Sequence, residues 1–114
     1  MEIKKDDYRV CYDQPTATIY CQGSLRLSGM NEYAPIVELL NNVAEQEPPV
    51  ITLNLTDLEF LNSSGISLIS KFVIQVRQKQ TINMIVKGSN NIPWQKKSLK
   101  NLQRLMPSLI LEWE

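Results

Sequence analysis

The residues in this chain best suited to chemistry are the two serines of Asn62-Ser63-Ser64-Gly65. They follow a strand-like run and a short extended connection, Thr52 to Leu61, and they open an apolar stretch with helical spacing. The first backbone amides of a helix have no partner within it, and the helix dipole is positive there. Hydroxyls at that place sit where an anion such as a phosphate is accommodated. A plainer role is open to the same residues: one of the two serines caps the helix, worth about 1 kcal/mol without any signalling function. A third use, nucleophilic attack by Ser63 or Ser64 in a hydrolase, needs a base. The chain has no histidine, which removes Ser-His-Asp and Cys-His catalysis, and no lysine or carboxylate stands at a recognisable spacing.

The bulk properties narrow the field further. A chain of 114 residues with 43% hydrophobic and 21% charged content suits one globular domain spanning residues 1–114. Twelve basic and twelve acidic side chains cancel, so no net field draws in nucleic acid or an anionic membrane. Lys96, Lys97, Lys100 and Arg104 form a basic stripe at helical spacing. Without interleaved aromatics it reads as a solvated helix face, and no nucleic acid partner is expected. The first ten residues, MEIKKDDYRV, lack the apolar core of a signal peptide, and no apolar run is long enough to span a bilayer. A cytoplasmic protein without membrane insertion is expected. Cys11 and Cys21 then serve as small buried side chains in a reducing compartment. Gly23 and Gly88 read as turn residues outside any phosphate-loop or dinucleotide fingerprint, and neither a cofactor nor a metal is implied.

The elements that must position the serine turn are legible as alternating and helical patterns. Tyr8–Asp13 and Thr16–Gln22 alternate about a turn at Asp13-Gln14-Pro15-Thr16, which predicts a hairpin with Tyr12 opposite Ala17 and Val10 opposite Ile19. That register puts Cys11 and Cys21 on opposite faces and argues against a disulfide. After a Gly/Ser-rich connection, Tyr33, Ile36, Val37, Leu40, Val43 and Ala44 mark one helix face, with Pro35 expected in the first turn. A strand over Val50–Leu55 follows, with Thr52 and Asn54 on a thinly covered face. Then come a helix from Ser63 to Lys79, a strand over Ile82–Lys87, a helix from Pro93 to Met106 begun by Trp94 packing under its first turn, and a strand over Leu109–Trp113. Strand–helix alternation implies parallel pairing, so the expected fold is α/β: a mixed sheet with an N-terminal hairpin followed by βα units and helices packed on the sheet.

The run Asp57-Leu58-Glu59-Phe60-Leu61-Asn62-Ser63-Ser64-Gly65, at the head of an apolar helix, resembles the serine turn of the STAS domain in bacterial anti-sigma factor antagonists. The order of elements is similar over almost the whole chain. The resemblance implies a small non-enzymatic protein in a partner-switching pathway, acting in transcription regulation. It would bind a GHKL-type serine kinase that doubles as an anti-sigma factor. It would be phosphorylated on the first serine of the turn, Ser63, and be reset by a metal-dependent serine phosphatase. The implied partner surface is Asn62, Ser63, Ser64 and Gly65, extended along the helix by Ser67, Lys71 and Ile74, the last an isoleucine outside the buried arc. The family usually has aspartate where this chain has Asn62. That departure favours the alternative of a non-phosphorylated STAS docking subunit of another assembly, such as the ATPase of an ABC-type lipid transporter. Self-association stays open.

Overall fold

A computed structural model describes residues 1–114, the side chain of Met30 excepted. The element order is β1 (Glu2–Lys4), β2 (Tyr8–Asp13), β3 (Thr18–Leu25), α1 (Gly29–Glu45), β4 (Val50–Asn54), β5 (Leu58–Leu61), α2 (Ser63–Lys79), β6 (Asn83–Gly88), α3 (Pro93–Leu105) and β7 (Ile110–Trp113). The sheet runs β1-β2-β3-β4-β6-β7, with β5 paired to β3 beyond the end of β4. β2 is antiparallel to both of its neighbours, β1 and β3, and β3, β4, β6 and β7 are parallel.

Alternation decides which face is covered. Val10, Ile19, Ile51, Leu53, Met84 and Val86 are buried in one cluster with the apolar stripes of all three helices. Thr52 and Asn54 point the other way and stay half-buried, so the helices lie on one face of the sheet. On α1 the stripe is Tyr33, Ile36, Leu39, Leu40, Val43 and Ala44, while Val37 is only half-buried. On α2 it is Leu68, Ile69, Phe72, Val73 and Val76, beside the buried backbone of Gly65. α2 lies between α1 and α3.

Several expectations need correcting. The hairpin turn is longer than a two-residue loop: a 3-10 turn at Gln14–Thr16 is followed by Ala17 at φ 49°, so Val10 pairs with Cys21 and Tyr12 with Ile19. The slip is by two residues, which preserves the faces. Cys11 and Cys21 remain on opposite faces, both free thiols. Pro35 lies inside α1 and not in its first turn; the helix starts earlier than its apolar stripe, and the proline is exposed, away from the sheet. The connection before the serine turn contains a strand, β5, whose burial alternation is broken because both Glu59 and Phe60 are exposed. Finally, neither glycine is a turn residue: Gly88 is the last residue of β6, and Gly23 departs further. It sits within β3 at φ 85°, at the irregularity beside Gly23/Ser24 in the pairing with β5. A Cβ there would meet the Asp7 carbonyl at 2.3 Å, so only glycine fits. The N-terminal strand β1 was not foreseen; the ion pair between Arg9 and Glu2 crosses its pairing with β2.

The two thiols differ in a way that solution chemistry can read. Burial pushes the Cys21 thiol up to about 12, whereas Cys11 is half-exposed on the open face. Because the thiolate is the reactive form, N-ethylmaleimide at pH 8 is expected to add one equivalent to the folded protein, at Cys11, and the second only in denaturant. Peptide mass spectrometry reads the sites, and equal labelling of both thiols in the folded state would contradict this packing.

Candidate functional site: the Ser63 turn

Strand β5 delivers the chain to the C-terminal edge of the sheet, and α2 starts immediately beyond it. The residue between them, Asn62, is the N-cap at φ −79° and ψ 175°. Its side-chain Oδ1 accepts from the Gly65 amide at 2.9 Å and from the Tyr33 hydroxyl at 2.8 Å. Its Nδ2 donates to the Leu27 carbonyl at 2.9 Å, and its backbone amide donates to the Leu25 carbonyl at 3.2 Å. One carboxamide therefore ties together the exit of β3, the entry to α1 and the start of α2.

This arrangement explains the departure from the family's aspartate. A carboxylate has acceptors only; at position 62 it would still cap α2 but would face the Leu27 carbonyl without a proton to offer. Both polar ends of an amide are needed here. It also relieves the serines of capping, so the cap expected from one of them falls to Asn62. Ser63 is exposed and Ser64 half-buried, and neither hydroxyl has a hydrogen-bond partner among the described residues, so no base is positioned to activate either of them.

Two neighbours fix the packing of the turn. Tyr33 is 1% exposed, and burial raises its phenol above the ordinary value of 10.0, so at neutral pH it is a permanent donor to Asn62. Gly65 packs so closely that a Cβ would lie 2.2 Å from Leu61 Cδ1 and 2.9 Å from Tyr33 Oη. Its role is close approach, not a special backbone angle.

The helical residues expected at a partner surface share one stripe with Ser63. At 100° per residue, Ser63, Ser67, Lys71 and Ile74 fall within a narrow arc opposite the sheet-facing residues of α2, and all four are exposed. Ser70 lies in the same arc, half-buried. The basic stripe of α3 is exposed as expected. Trp94 is half-buried at the start of α3 and donates Nε1–H to the Glu59 carbonyl at 2.8 Å, linking α3 to the strand that leads into the turn.

Gln95 was overlooked in the sequence. It is fully buried, accepts from the Ser89 amide at 2.7 Å, and donates to the Leu55 and Leu58 carbonyls at 2.7 and 3.0 Å. The signal was present: Gln95 precedes Leu99, Leu102 and Met106 at helical spacing, a carboxamide on the apolar face of its helix. Among the described residues no group of three His, Cys, Asp or Glu side chains could hold a metal ion, and no helix is long and apolar enough to cross a membrane.

Replacing Asn62 by Asp is expected to lower unfolding stability by about 1 kcal/mol, the low end of the range for an unmatched polar group because the Leu27 carbonyl is only part-buried. Ser63→Ala and Ser64→Ala should stay within about 0.5 kcal/mol, as surface changes do. Urea unfolding at pH 7 measures all three, and a Ser63→Ala loss as large as that of Asn62→Asp would put the cap on the wrong residue. A second expectation concerns Tyr33. Its raised folded pKa means that the hydrogen bond to Asn62 contributes fully below pH 10 and is lost as pH rises through the folded value. Tyr33→Phe should therefore be less stable than wild type at pH 7 and should converge with it on the alkaline limb of a stability–pH profile.

Comparison with known proteins gives the turn its setting. No curated protein sequence gives a significant match. Among solved structures, a chain of the Pseudomonas aeruginosa diguanylate cyclase SiaD in complex with its activator SiaC matches with a TM-score of 0.75 at 10% identity, over 100% of this chain and 99% of that one. Apo-SiaC from the same organism matches with a TM-score of 0.73 at 11% identity, over 100% and 97% of the two chains. An anti-sigma factor antagonist from Mycobacterium paratuberculosis matches with a TM-score of 0.59 at 17% identity, over 96% of this chain and 82% of that one. At such identities these likenesses speak for the fold alone. The family model of the STAS domain matches residues 27–105, from the Leu27 carbonyl that Asn62 holds to the last turn of α3; the chain belongs to the STAS domain family.

Proposed function

We propose that this protein is a cytoplasmic, non-catalytic, single-domain regulator that docks on a partner protein through the exposed stripe of α2, and that phosphorylation of Ser63 gates the docking. The observation that carries this reading is the transfer of the cap to Asn62. Ser63 stands exposed at the first position of a helix with no structural duty, which is what a reversible modification site requires. The STAS family model and the anti-sigma factor antagonist among the structural neighbours support the class. SiaC, which activates the diguanylate cyclase with which it forms a complex, offers a parallel for a protein of this fold working by docking.

The physics of the modification is asymmetric. The Gly65 amide is taken by Asn62 Oδ1, and the Ile66 amide donates to the Asn62 carbonyl. The amides of Ser63 and Ser64 precede the first helical bond and point into the same region. A phosphate on Ser63 brings about −1.5 to −2 charges and three acceptor oxygens to those amides and to the positive end of the helix dipole. The fold tolerates it. A partner surface pressed against the same stripe meets added charge and bulk and is released. The expected partners are a GHKL-type serine kinase that doubles as an anti-sigma factor and a metal-dependent serine phosphatase that resets the turn.

Binding and folding should separate in the phosphomimic. Ser63→Asp is expected to leave the unfolding midpoint unchanged or slightly raised, since an acidic group in the first turn of a helix contributes about 0.3–1 kcal/mol. The same variant should weaken partner capture at least about fivefold relative to Ser63→Ala, the lower end of the usual coupling range. Parallel affinity captures from native lysate with wild type, Ser63→Ala and Ser63→Asp, followed by titration of the captured partner, measure this. Equal affinity for all three baits would remove Ser63 from regulation, as would intact-mass spectra of the native protein that never show an added phosphate.

A further inference from the structure

The zero net charge of this chain hides a strong segregation. Residues 1–59 carry ten acidic and four basic side chains, whereas residues 60–111 carry eight basic and no acidic ones. The fold sorts these charges by helix. α1 has Glu32, Glu38 and Glu45 and no basic residue; α3 has Lys96, Lys97, Lys100 and Arg104 and no acidic one. All are exposed. Among the described residues the ion pairs are Arg9–Glu2 and Lys79–Glu45, so the four α3 cations have no acidic partner within the fold. Because α2 lies between α1 and α3, the helical layer presents an acidic flank, a central stripe and a basic flank.

From this pattern we infer that the helical layer is a self-complementary surface on which a second copy of the chain docks, related by a two-fold axis parallel to α2. Such an axis lays α2 on its counterpart and swaps the flanks, so that α1 of each copy faces α3 of the other. The two acidic–basic contacts are then equivalent, and the contact closes as an isologous dimer. Each helix follows a strand of the parallel part of the sheet, so all three run back in the same direction. An axis parallel to α2 keeps that direction in both copies, so the length of each acidic helix lies along a basic one. At the centre, the outward stripe of α2 carries the small residues Ser63, Ser67 and Ser70 and then Ile74, which is 39% exposed. A two-fold axis along the stripe sets each against its own copy, letting the helices approach and covering Ile74 with Ile74. Lys71 lies towards the α1 side of α2, beside Val37, and the axis carries its counterpart to the opposite side, so the two lysines do not meet.

A polyanion fits this surface less well. A membrane plane or nucleic acid laid across the helices would meet Glu38 and Glu45 as well as the α3 cations, while a second copy matches both flanks. The dimer covers the stripe that carries Ser63, so it competes with the partner docking proposed above and would bring two phosphates face to face if both copies were modified.

Sedimentation equilibrium of unphosphorylated protein tests the inference, and its failure leaves the Ser63 reading untouched. Wild type at 50 mM NaCl is expected to dimerise, with a dissociation constant that rises at least about tenfold by 500 mM as surface charges are screened. Two variants follow: Glu38→Lys with Glu45→Lys, which makes both flanks basic, and Lys97→Glu with Lys100→Glu and Arg104→Glu, which makes both acidic. Each alone should be monomeric, and a one-to-one mixture should form a heterodimer. Adding Ile74→Arg to both should abolish the mixed dimer, which general attraction between opposite charges would not. Wild type that stays monomeric at low salt overturns the inference, as does a dimer indifferent to the charge reversals or a mixed dimer indifferent to Ile74→Arg. A monomer whose α3 amides instead respond to a 20-base-pair DNA duplex or to phosphatidylserine vesicles at 150 mM NaCl would assign the basic flank to a polyanion and overturn it too.

Discussion

The carboxamide of Asn62 is the point on which the architecture of this protein turns. It has one donor group and one acceptor oxygen, and both are used against segments far apart in the chain: the Leu27 carbonyl, the Tyr33 hydroxyl and the Gly65 amide. The demands propagate outward. Tyr33 must be buried and protonated to supply the second donor, Gly65 must lack a side chain so that α2 can approach it, and β3 must continue past β4 to place the Leu25 carbonyl opposite Asn62. Removing the donor half of the amide while keeping its shape strands a carbonyl without removing a contact, which is why an aspartate here costs stability.

Much of this molecule was written in local patterns. The bounds of α2, Ser63–Lys79, coincide with those read from its apolar spacing, and the alternation of Ile51, Leu53 and Leu55 located both the strand and its covered face. What local patterns missed was set by tertiary contacts. β5 shows no alternation because Phe60 turns outward under the Arg26 guanidinium, 4.6 Å above its ring, so its strand character comes from pairing with β3. The hairpin slip arises because Ala17 adopts a left-handed conformation that its residue type does not announce. Pro35 was placed by the helix's apolar face, yet α1 begins several residues before that face does.

The candidate site divides along the same line. That a serine turn heads α2 was evident from Asn62-Ser63-Ser64-Gly65. Which residue caps the helix was not, because Asn and Ser are near-equal caps in isolation. The decision came from the Leu27 carbonyl, thirty-five residues away in the chain. Net charge is silent in a comparable way: a sum of zero says nothing about how three adjacent helices divide the acids and bases among them. The structural neighbours at 10–17% identity share the frame with little of the sequence, as expected when a few buried amides and one close-packed glycine set the geometry and the rest of the core needs only volume.

Gln95 carries the last implication. Its three hydrogen bonds fasten the start of α3 to the carbonyls of Leu55 and Leu58 and to the Ser89 amide, so the segment leading into the serine turn hangs from the same frame as the helix beside it. With Asn62 pinning one end of that segment and Gln95 the other, there is no slack chain near Ser63 to be ordered or melted. A phosphate at Ser63, as proposed above, would have no hinge through which to act; it would change the outline and potential of the surface on which it stands.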